Sequence, residues 1–503
     1  MPHPPQPMPG GPAGPAQPAA PARTAARDEV TVHGSERFGG PTGRRAAPAT
    51  GFWHPVRVVA LAMIGMFALG MVQKLPCYTR GWFEGPATQY THACYSDIPH
   101  LYRARGFADG LIPYFDKIPD ELARGMEYLE YPVLTGLFME TAAWLTPAGD
   151  GGRQAQQIYW LVNAGMLMAC AVIIAVCVAR IQRNRPWDGL MVALAPAFAL
   201  TATINWDLLA GALCCAGLLM WARARPAAAG ILIGLATAAK LYPVLVLGPL
   251  FLLCLRTFRW RAFFTTTATA VLSWLVVNLP IMLLATDGWA RFYVFSRERS
   301  VDFGSFWLLL VQRTDVTLSP STVNRLAVAL TLLGFAGIAL LAVLAPVRPR
   351  LAQLVFLTVA VFILTNKVYS PQYVLWLIPL AVLARPRWRD ILIWQACEVL
   401  YFLGIWMYLA HTSGAHGVTP NGYHGAIALH LLGTLYLCLV VVRDILRPGH
   451  DPVRWDGSDD PGGGVLDRAA DRFTLPPRRP RTPSTFHVKP PPPDPTPHAA
   501  REA

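Results

Sequence analysis

One carboxylate in the sequence lies where an enzyme would need a base. Asp97, within ACYSDIPHLY at residues 93–102, stands in the polar loop that follows a first hydrophobic run at about 56–73. A carboxylate in such a loop can take the proton from an acceptor hydroxyl in general base catalysis. A structural role also fits, because Asp97 precedes a predicted helix and its side chain can accept a backbone N–H as a cap. The residues alone leave both roles open.

Four cations have the chemistry to hold a phosphate leaving group. Lysine and arginine bind phosphate through charge-assisted hydrogen bonds. These four lie in short polar segments between apolar runs, where ionisable groups are costly and usually mark a site. Simpler roles also fit, because the lysines can anchor at the membrane surface and the arginines can pair with Glu298. The four residues are Lys240, Lys367, Arg297 and Arg299.

Other side chains in the same segments are candidates for contact with an acceptor. Glu130 either binds acceptor hydroxyls or only orients the helix that follows it. We expect no metal site, because the histidines of the last polar loop come without a recognisable ligand spacing or second shell. The sequence contains no P-loop, Rossmann, HExxH or plausible GxSxG motif. The acceptor candidates are Glu130, Tyr131, Tyr369, Gln372 and His416.

The composition places these residues in a membrane protein. Hydrophobic residues make up 53% of the 503 residues and charged residues only 15%, far below the charged share of a typical soluble domain, about 25%. The net charge is +13, from 43 Lys and Arg against 30 Asp and Glu. The cations occur in short clusters between apolar runs rather than on one patch, which indicates topology signals and not nucleic-acid binding.

The apolar runs predict an all-α polytopic membrane protein with about twelve transmembrane helices. Residues 131–146 are apolar but short and are interrupted by Glu140, so we interpret them as a juxtamembrane helix. The predicted spans are about 56–73, 157–179, 188–204, 207–221, 226–239, 242–256, 262–285, 323–345, 352–365, 373–384, 391–409 and 425–443.

The arginine-rich turns orient these spans. With 131–146 left out, the positive-inside rule places every such turn, at 180–186, 223–225, 256–261, 347–350, 385–389 and 443–447, in the cytoplasm. Both termini are then cytoplasmic, and the polar segments, including a large first loop at 74–156, face outwards from the cell membrane. Cys77 and Cys94 share this loop, where a structural disulfide is permitted.

The two ends of the sequence differ from its middle. Residues 1–50 and 448–503 are rich in Pro, Gly and Ala and hold few large apolar side chains, so both are predicted to be disordered cytoplasmic tails. The membrane domain is expected to cover residues 51–447.

A series of motifs in this domain resembles a known enzyme family. YSDI, RGFADGLIPYFD, EYPVLTGLFM, AAKLYPVLVL and NKVYSPQYVLWLIPLA occur in that order, and the resemblance runs from about 56 to 443. Together they are similar to glycosyltransferase family 87 of actinobacteria. That resemblance implies a GT-C fold, with juxtamembrane helices and a catalytic aspartate in the first outer loop, which is Asp97 here. It also implies polyprenyl-phosphate mannose as the donor and inversion at the anomeric carbon.

The sequence therefore predicts a membrane glycosyltransferase. We expect it to move a sugar from a polyprenyl-phosphate donor to a lipid-linked or cell-envelope glycan on the outer face. The expected sugar is mannose. The lipid-linked donor is a substrate, and no cofactor is expected. The competing interpretation is a twelve-span transporter or lipid flippase, which would show internal repeats and ionisable residues inside corresponding spans. Neither is visible in the sequence.

Overall fold

The computed structural model describes residues 53–473, apart from residues 86, 124, 148–150, 315 and 456. The predicted first tail, 1–50, and residues 474–503 of the second lie outside the described residues. All regular secondary structure in the described part is helical. The all-α prediction is therefore confirmed for this part of the chain.

The helices of the first half begin with a long helix, continue through short helices in the predicted outer loop, and then return to longer ones. They are α1 Pro55–Gln73, α2 Leu75–Arg80, α3 Thr88–Thr91, α4 Asp97–Ala104, α5 Asp120–Ala123, α6 Val133–Trp144, α7 Arg153–Ile181, α8 Gly189–Ala193, α9 Pro196–Thr201, α10 Asp207–Ala222 and α11 Pro226–Ala239.

The second half contains mostly long helices, and short 3₁₀ turns join some of them. The α-helices are α12 Leu247–Thr257, α13 Trp260–Leu284, α14 Thr286–Glu298, α15 Phe306–Thr314, α16 Pro320–Leu344, α17 Leu351–Thr365, α18 Val374–Ala384, α19 Trp388–Thr412 and α20 Pro420–Leu446. The 3₁₀ turns of the whole chain are Phe107–Asp109, Pro186–Asp188, Tyr242–Val246, Pro371–Tyr373, Pro448–His450, Pro452–Arg454 and Gly464–Leu466.

Six helices of the described chain are long and apolar enough to cross a membrane. They are 19 to 29 residues long, and a helix of about 20 residues spans the hydrocarbon core. Their outer surfaces are apolar too: Leu283 on α13 is 69% exposed and Leu333 on α16 is 70% exposed. The chain is therefore a multi-pass membrane protein. The six helices are α1, α7, α13, α16, α19 and α20.

The remaining predicted spans are shorter than expected. The apolar helices at 207–222, 226–239, 242–257, 351–365 and 371–384 fall in the range of 10 to 17 residues. The predicted span 188–204 is divided into α8 and α9. Pro196 explains the division, because a proline disfavours the helical conformation in the residue before it, and Ala195 is extended with ψ 116°. The count of twelve crossings remains a prediction.

Small residues let α11 and α13 pack closely. A Cβ atom at Gly230 would lie 2.1 Å from the Thr266 carbonyl oxygen, and one at Gly234 would lie 2.1 Å from the Ala270 carbonyl oxygen. The spacing of four residues places both glycines on one helix face. This is the small-residue packing that membrane helices use when no hydrophobic driving force holds them together.

The segment at 131–146 forms a single short helix, α6. Its 12 residues are too few to cross the hydrocarbon core. Thr135 Oγ1 donates a hydrogen bond to the carbonyl oxygen of Ala239, 2.7 Å away, which fixes α6 against the last residue of α11. Leu145 and Trp144 at its end are 61% and 77% exposed. A short helix with an exposed apolar end is consistent with the predicted juxtamembrane position.

The arginine-rich turns meet at one end of the bundle, which we call the arginine end. There they contact residues 448–473, which the composition assigned to a disordered tail. This segment instead places aspartates against buried arginines: Arg350 Nε lies 2.8 Å from Asp451, and Arg256 lies 2.8 Å from Asp471. Composition misses this order because buried ion pairs, together with a few apolar side chains such as Val453 and Leu466, hold the segment.

Candidate active site

Asp97 is the first residue of α4, but it does not cap that helix. Ser96 Oγ accepts the N–H of Ile98 at 3.3 Å and donates to the carbonyl oxygen of Thr203 at 2.7 Å. The N–H of Asp97 donates to the carbonyl oxygen of Ile204 at 2.8 Å. Because Ser96 fills the capping position, the carboxylate of Asp97 is left for other contacts.

The surroundings of Asp97 make its carboxylate more basic than usual. Burial raises the pKa of Asp97 to about 6, although the hydrogen bond from Tyr95 and the charge of Lys240 lower it. Tyr95 Oη donates to Asp97 Oδ1 at 2.6 Å. The charges of Asp207 and Glu130 raise the pKa further. At neutral pH the group is mostly ionised and still a better proton acceptor than an ordinary aspartate.

Lys240 follows α11 and points into the same site. Its Nζ lies 2.8 Å from Asp207 Oδ1. Three aromatic rings surround the ammonium group with centroids 5.8 to 6.0 Å away, those of Tyr131, Tyr373 and Trp376. Burial lowers the pKa of Lys240, but Asp207, Tyr373 and Asp97 together outweigh it, so the pKa is raised overall. These contacts are inside the protein, unlike those of a lysine anchored at the membrane surface.

Glu130 is held by an arginine that the sequence did not single out. Arg105 Nε and Nη2 donate to its two carboxylate oxygens at 2.7 and 2.6 Å. Both side chains are nearly buried. Such a bidentate pair has a fixed geometry. Glu130 therefore adds negative charge near Asp97 while its own oxygens are engaged, and Tyr131 presents its ring to Lys240.

Arg299 borders the site from the chain after α14. Its Nε donates to Asp302 Oδ2 at 2.8 Å, and its guanidinium interacts electrostatically with Tyr373 and Tyr131. The alternative in which it pairs with Glu298 is wrong, because Asp302 is its partner. Both Arg297 and Glu298 have exposed side chains.

Lys367 lies next to Arg299. Its Nζ donates to Asn324 Oδ1 at 2.7 Å and to the carbonyl oxygen of Arg297 at 3.2 Å. Burial lowers the pKa of Lys367, and repulsion from Arg299 lowers it further. The backbone carbonyl of Lys367 accepts the N–H of Asp302 at 2.9 Å, which joins the two cation-bearing loops. The site thus has Lys240 near its centre, and Arg299 and Lys367 at its border.

The candidates for acceptor contact lie at different depths. Tyr369 is 1% exposed, and its hydroxyl lies 3.0 Å from Thr434 Oγ1 and donates to Glu398 at 3.3 Å. This core position places Tyr369 inside the bundle rather than on a surface that an acceptor reaches. Gln372 is half-buried and precedes Tyr373, whereas His416 is exposed.

The loop that carries Asp97 is fixed to the bundle at two points. Cys77 and Cys94 form a disulfide, the pair that the sequence placed in one outer loop. Lys74 is fully buried and donates to the carbonyl oxygen of Tyr95 at 3.0 Å. Burial lowers the pKa of Lys74 to about 7. These contacts hold the residues immediately before Asp97.

Sequence reasoning missed several residues of the site. No sequence pattern singled out Lys74, Tyr95 and Tyr373. Their roles depend on contacts in the folded protein, and a sequence pattern does not show such contacts. Asp207 had a signal: it belongs to NWD, a polar interruption between two apolar runs. Among residues 53–473, outside the gaps given above, no group of three or more His, Cys, Asp or Glu residues is arranged to hold a metal ion.

The arrangement combines a basic carboxylate with cations a short distance away. It is suited to removing a proton from a hydroxyl group while an anionic group is bound nearby. Each cation close to Asp97 already has a carboxylate partner, Asp207 for Lys240 and Glu130 for Arg105. An incoming phosphate would share these cations rather than find them unpaired.

One comparison with known proteins agrees with the resemblance seen in the sequence. Residues 128–365 match the family model described as Glycosyltransferase family 87. Among solved structures, the crystal structure of ArnT from Cupriavidus metallidurans bound to undecaprenyl phosphate is similar, with 15% sequence identity over 77% of this chain and 78% of that chain. Its TM-score is 0.39, too low to support an argument about this chain. No curated protein matches the sequence.

Proposed function

We propose that this chain, which contains a glycosyltransferase family 87 domain over residues 128–365, transfers a sugar from a polyprenyl-phosphate carrier to a hydroxyl group of a lipid-linked or cell-envelope glycan. Mannose is the proposed sugar, because it is the one that the resemblance of the motifs implies. The proposed site is the cluster around Asp97 and Lys240, on the outer face of the membrane.

One observation carries the proposal: among the described residues, the Asp97 carboxylate neither caps its helix nor forms an ion pair. Ser96 caps α4 in its place, and the remaining contact of the Asp97 side chain is the short hydrogen bond from Tyr95. Burial raises the pKa of Asp97 to about 6, which brings it closer to the working pH that a general base requires. An ion pair or a helix cap acts on the pKa of a carboxyl group in the opposite direction to burial.

The proposed reaction is a single displacement. The acceptor oxygen bonds to the anomeric carbon, its proton passes to Asp97, and the bond from that carbon to the phosphate oxygen breaks. The carrier phosphate leaves as a monoester with one more negative charge than the phosphodiester had. Lys240 and Arg299 stabilise that charge, and the anomeric configuration inverts. A retaining reaction would need a second nearby carboxylate as nucleophile. Glu130 has both oxygens bound to Arg105, and Asp207 is fully buried and paired with Lys240, so neither is placed to attack the sugar.

The exposed end of α6 supports a lipid carrier. Thr135 of α6 donates a hydrogen bond to the carbonyl oxygen of Ala239, the residue before Lys240. The same helix exposes Leu137, Trp144 and Leu145. An apolar surface therefore lies on the helix that touches the phosphate-binding region, where a polyprenyl chain would extend from its headgroup. The family domain over residues 128–365 favours this chemistry over the transporter alternative.

The test is transfer by the purified protein in lipid bilayers. Labelled polyprenyl-phosphate mannose and an envelope lipid extract should yield a labelled product with wild type. Asp97→Asn should lose that product, and Asp109→Asn should keep it, because Asp109 is an exposed carboxylate of the same loop. Transfer from a different polyprenyl-phosphate sugar alone would overturn mannose and keep the reaction. No transfer from any such donor would overturn the proposed function.

A further inference from the structure

Asp207 is a buried carboxylate that the proposed reaction does not use. It is the first residue of α10, and its side chain is fully buried. Oδ1 lies 2.8 Å from Lys240 Nζ, while Oδ2 has no hydrogen-bond partner among the described residues. A buried charged oxygen without a partner is costly. Such a group is retained at this cost where its charge has a task.

Two carboxylates attract the ammonium group of Lys240. It forms the close ion pair with Asp207, and it also interacts electrostatically with Asp97. The aromatic rings of Tyr131 and Tyr373 restrict where the ammonium can go. If Asp207 carried no charge, Asp97 would be the remaining carboxylate known to attract Lys240. A direct pair between them would use up both the base and the cation.

We propose that Asp207 is a positioning residue that draws the Lys240 ammonium away from Asp97, so that Asp97 can accept a proton while Lys240 can contact the donor phosphate. Asp207 acts through Lys240 and touches neither the acceptor hydroxyl nor the anomeric carbon. This inference rests on the proposed function, because it assigns a role in the same site.

The charged groups around Asp97 determine the sign of the expected effects. Lys240 lowers the pKa of Asp97, and Asp207 and Glu130 raise it. Removing the charge of Asp207 removes one raising influence and frees Lys240 to pair with Asp97, so the pKa falls. Removing Lys240 has the opposite effect. The titratable and charged groups that act on Asp97 are Tyr95 on its own segment, Glu130 with its partner Arg105, Tyr131, Asp207 and Lys240.

The experiment measures transfer against pH for four proteins in bilayers: wild type, Asp207→Asn, Lys240→Met and the double variant. The probe is the polyprenyl-phosphate sugar that wild type uses. We expect the acidic limb to move to lower pH by about one unit in Asp207→Asn, since an opposite charge at close range shifts a carboxyl group by roughly one to three pH units. Lys240→Met should move it to higher pH, and the double variant should lie between them.

Two further variants separate positioning from loss of structure. Asp207→Glu keeps the charge and should retain the wild-type acidic limb. Asp287→Asn removes an exposed carboxylate at the start of α14 and should change nothing. Thermal unfolding of each variant checks that its pH profile is measured on folded protein. If Asp207→Asn does not fold, the pH profiles of Lys240→Met and Asp207→Glu are used for the test instead.

The outcomes distinguish this inference from the proposed function. Opposite shifts in the two single variants, with an intermediate double variant, support the role of Asp207. An unchanged acidic limb in Asp207→Asn, or shifts of the same sign in both single variants, would overturn it while leaving the transferase assignment intact. If the protein instead folded without Asp207 and with wild-type profiles throughout, Asp207 would be a structural partner of Lys240 only.

Discussion

At the arginine end of the bundle, Arg350 donates to both oxygens of Asp451, at 2.8 and 3.0 Å, and to the carbonyl oxygen of Leu383 at 2.9 Å. At the Asp97 end, by contrast, Asp207 uses one oxygen for Lys240 and leaves the other without a partner. Both ends bury charged side chains. Of the two pairs, only Arg350–Asp451 has both carboxylate oxygens hydrogen-bonded.

The contrast separates two uses of a buried charge. A fully hydrogen-bonded pair holds chain segments in place, and this role requires that its geometry and charge stay constant. A charge with spare hydrogen-bonding capacity, such as Asp97 with its pKa raised to about 6, is costly to the fold but can take part in a reaction. The Asp97 cluster therefore has the properties of a site, and the pairs Arg350–Asp451 and Arg256–Asp471 have those of a structural clamp. Asp460, also at the arginine end, has one oxygen without a partner among the described residues, so the contrast is between these groups and not between the two ends as wholes.

Breaking the clamp should give the largest change in stability. Among the described residues, Arg350→Met leaves the buried Asp451 with only the longer ion pair to Arg454, 3.7 Å away, and loss of one partner of a buried pair typically costs about 3 to 5 kcal/mol. We expect a large loss of folded protein, measured by thermal unfolding in detergent, while the folded fraction keeps its turnover. Replacing both residues, as Arg350→Met with Asp451→Leu, should recover much of the stability. An unchanged unfolding midpoint in Arg350→Met would remove the basis for calling this pair a clamp.

Replacing the proposed base should lower turnover and leave stability intact, the opposite of the result expected for Arg350→Met. Asp97→Asn should lower turnover by about 10² or more without lowering stability. The fold raises the pKa of Asp97 from 3.8 to about 6, so the ionised form is penalised above about pH 6 and the penalty fades as pH falls towards 4. Asparagine carries no such penalty, and its variant should unfold at an equal or higher temperature than wild type at pH 7.5.

Asp97→Ser is the matched control for that result. Serine keeps a short polar side chain that can form a hydrogen bond but cannot serve as a base at this position. A loss of turnover in both variants supports the base, whereas near-normal transfer in both would return Asp97 to a structural role and place it with the clamp residues.

Removing a cation from the site should have a moderate effect on the donor. Lys240→Ala and Lys367→Ala should each raise KM for the donor by about tenfold or more, because a charge-assisted hydrogen bond contributes about 1.5 to 3 kcal/mol. KM for the acceptor should change less. Lys117→Ala is the control, since Lys117 is exposed and lies 3.9 Å from Glu127. Wild-type donor kinetics in both variants would make the two lysines structural.

The smallest expected effect is on the wild-type protein itself. Because Asp97 must be ionised to accept a proton and its pKa is raised to about 6, transfer should fall to half its plateau near pH 6 and tenfold further for each unit below. The residual activity of Asp97→Asn should lack this limb. A wild-type limb near pH 4, the ordinary range of an aspartate, would show that the site is open to water.

Sequence predicted the long helices well because each is a continuous apolar run, as in α7 and α20. It failed at Pro196, where backbone geometry divides a run that hydrophobicity alone reads as one span. It also found Asp97 and Lys240, which interrupt apolar surroundings. Arg105 escaped notice because its pairing with Glu130 joins residues 25 positions apart, and no local pattern encodes such a contact.

The clamp has a consequence for how the protein is made. Asp451 and Asp471 follow in sequence the arginines that they pair with, Arg350 and Arg256. During synthesis these arginines emerge from the ribosome before their partners exist. The turns that carry them must remain solvated by water or lipid headgroups until Asp451 and Asp471 have been synthesised. Closure of the arginine end is thus a late event in assembly, and a chain truncated before Asp451 would keep its membrane helices but never complete it.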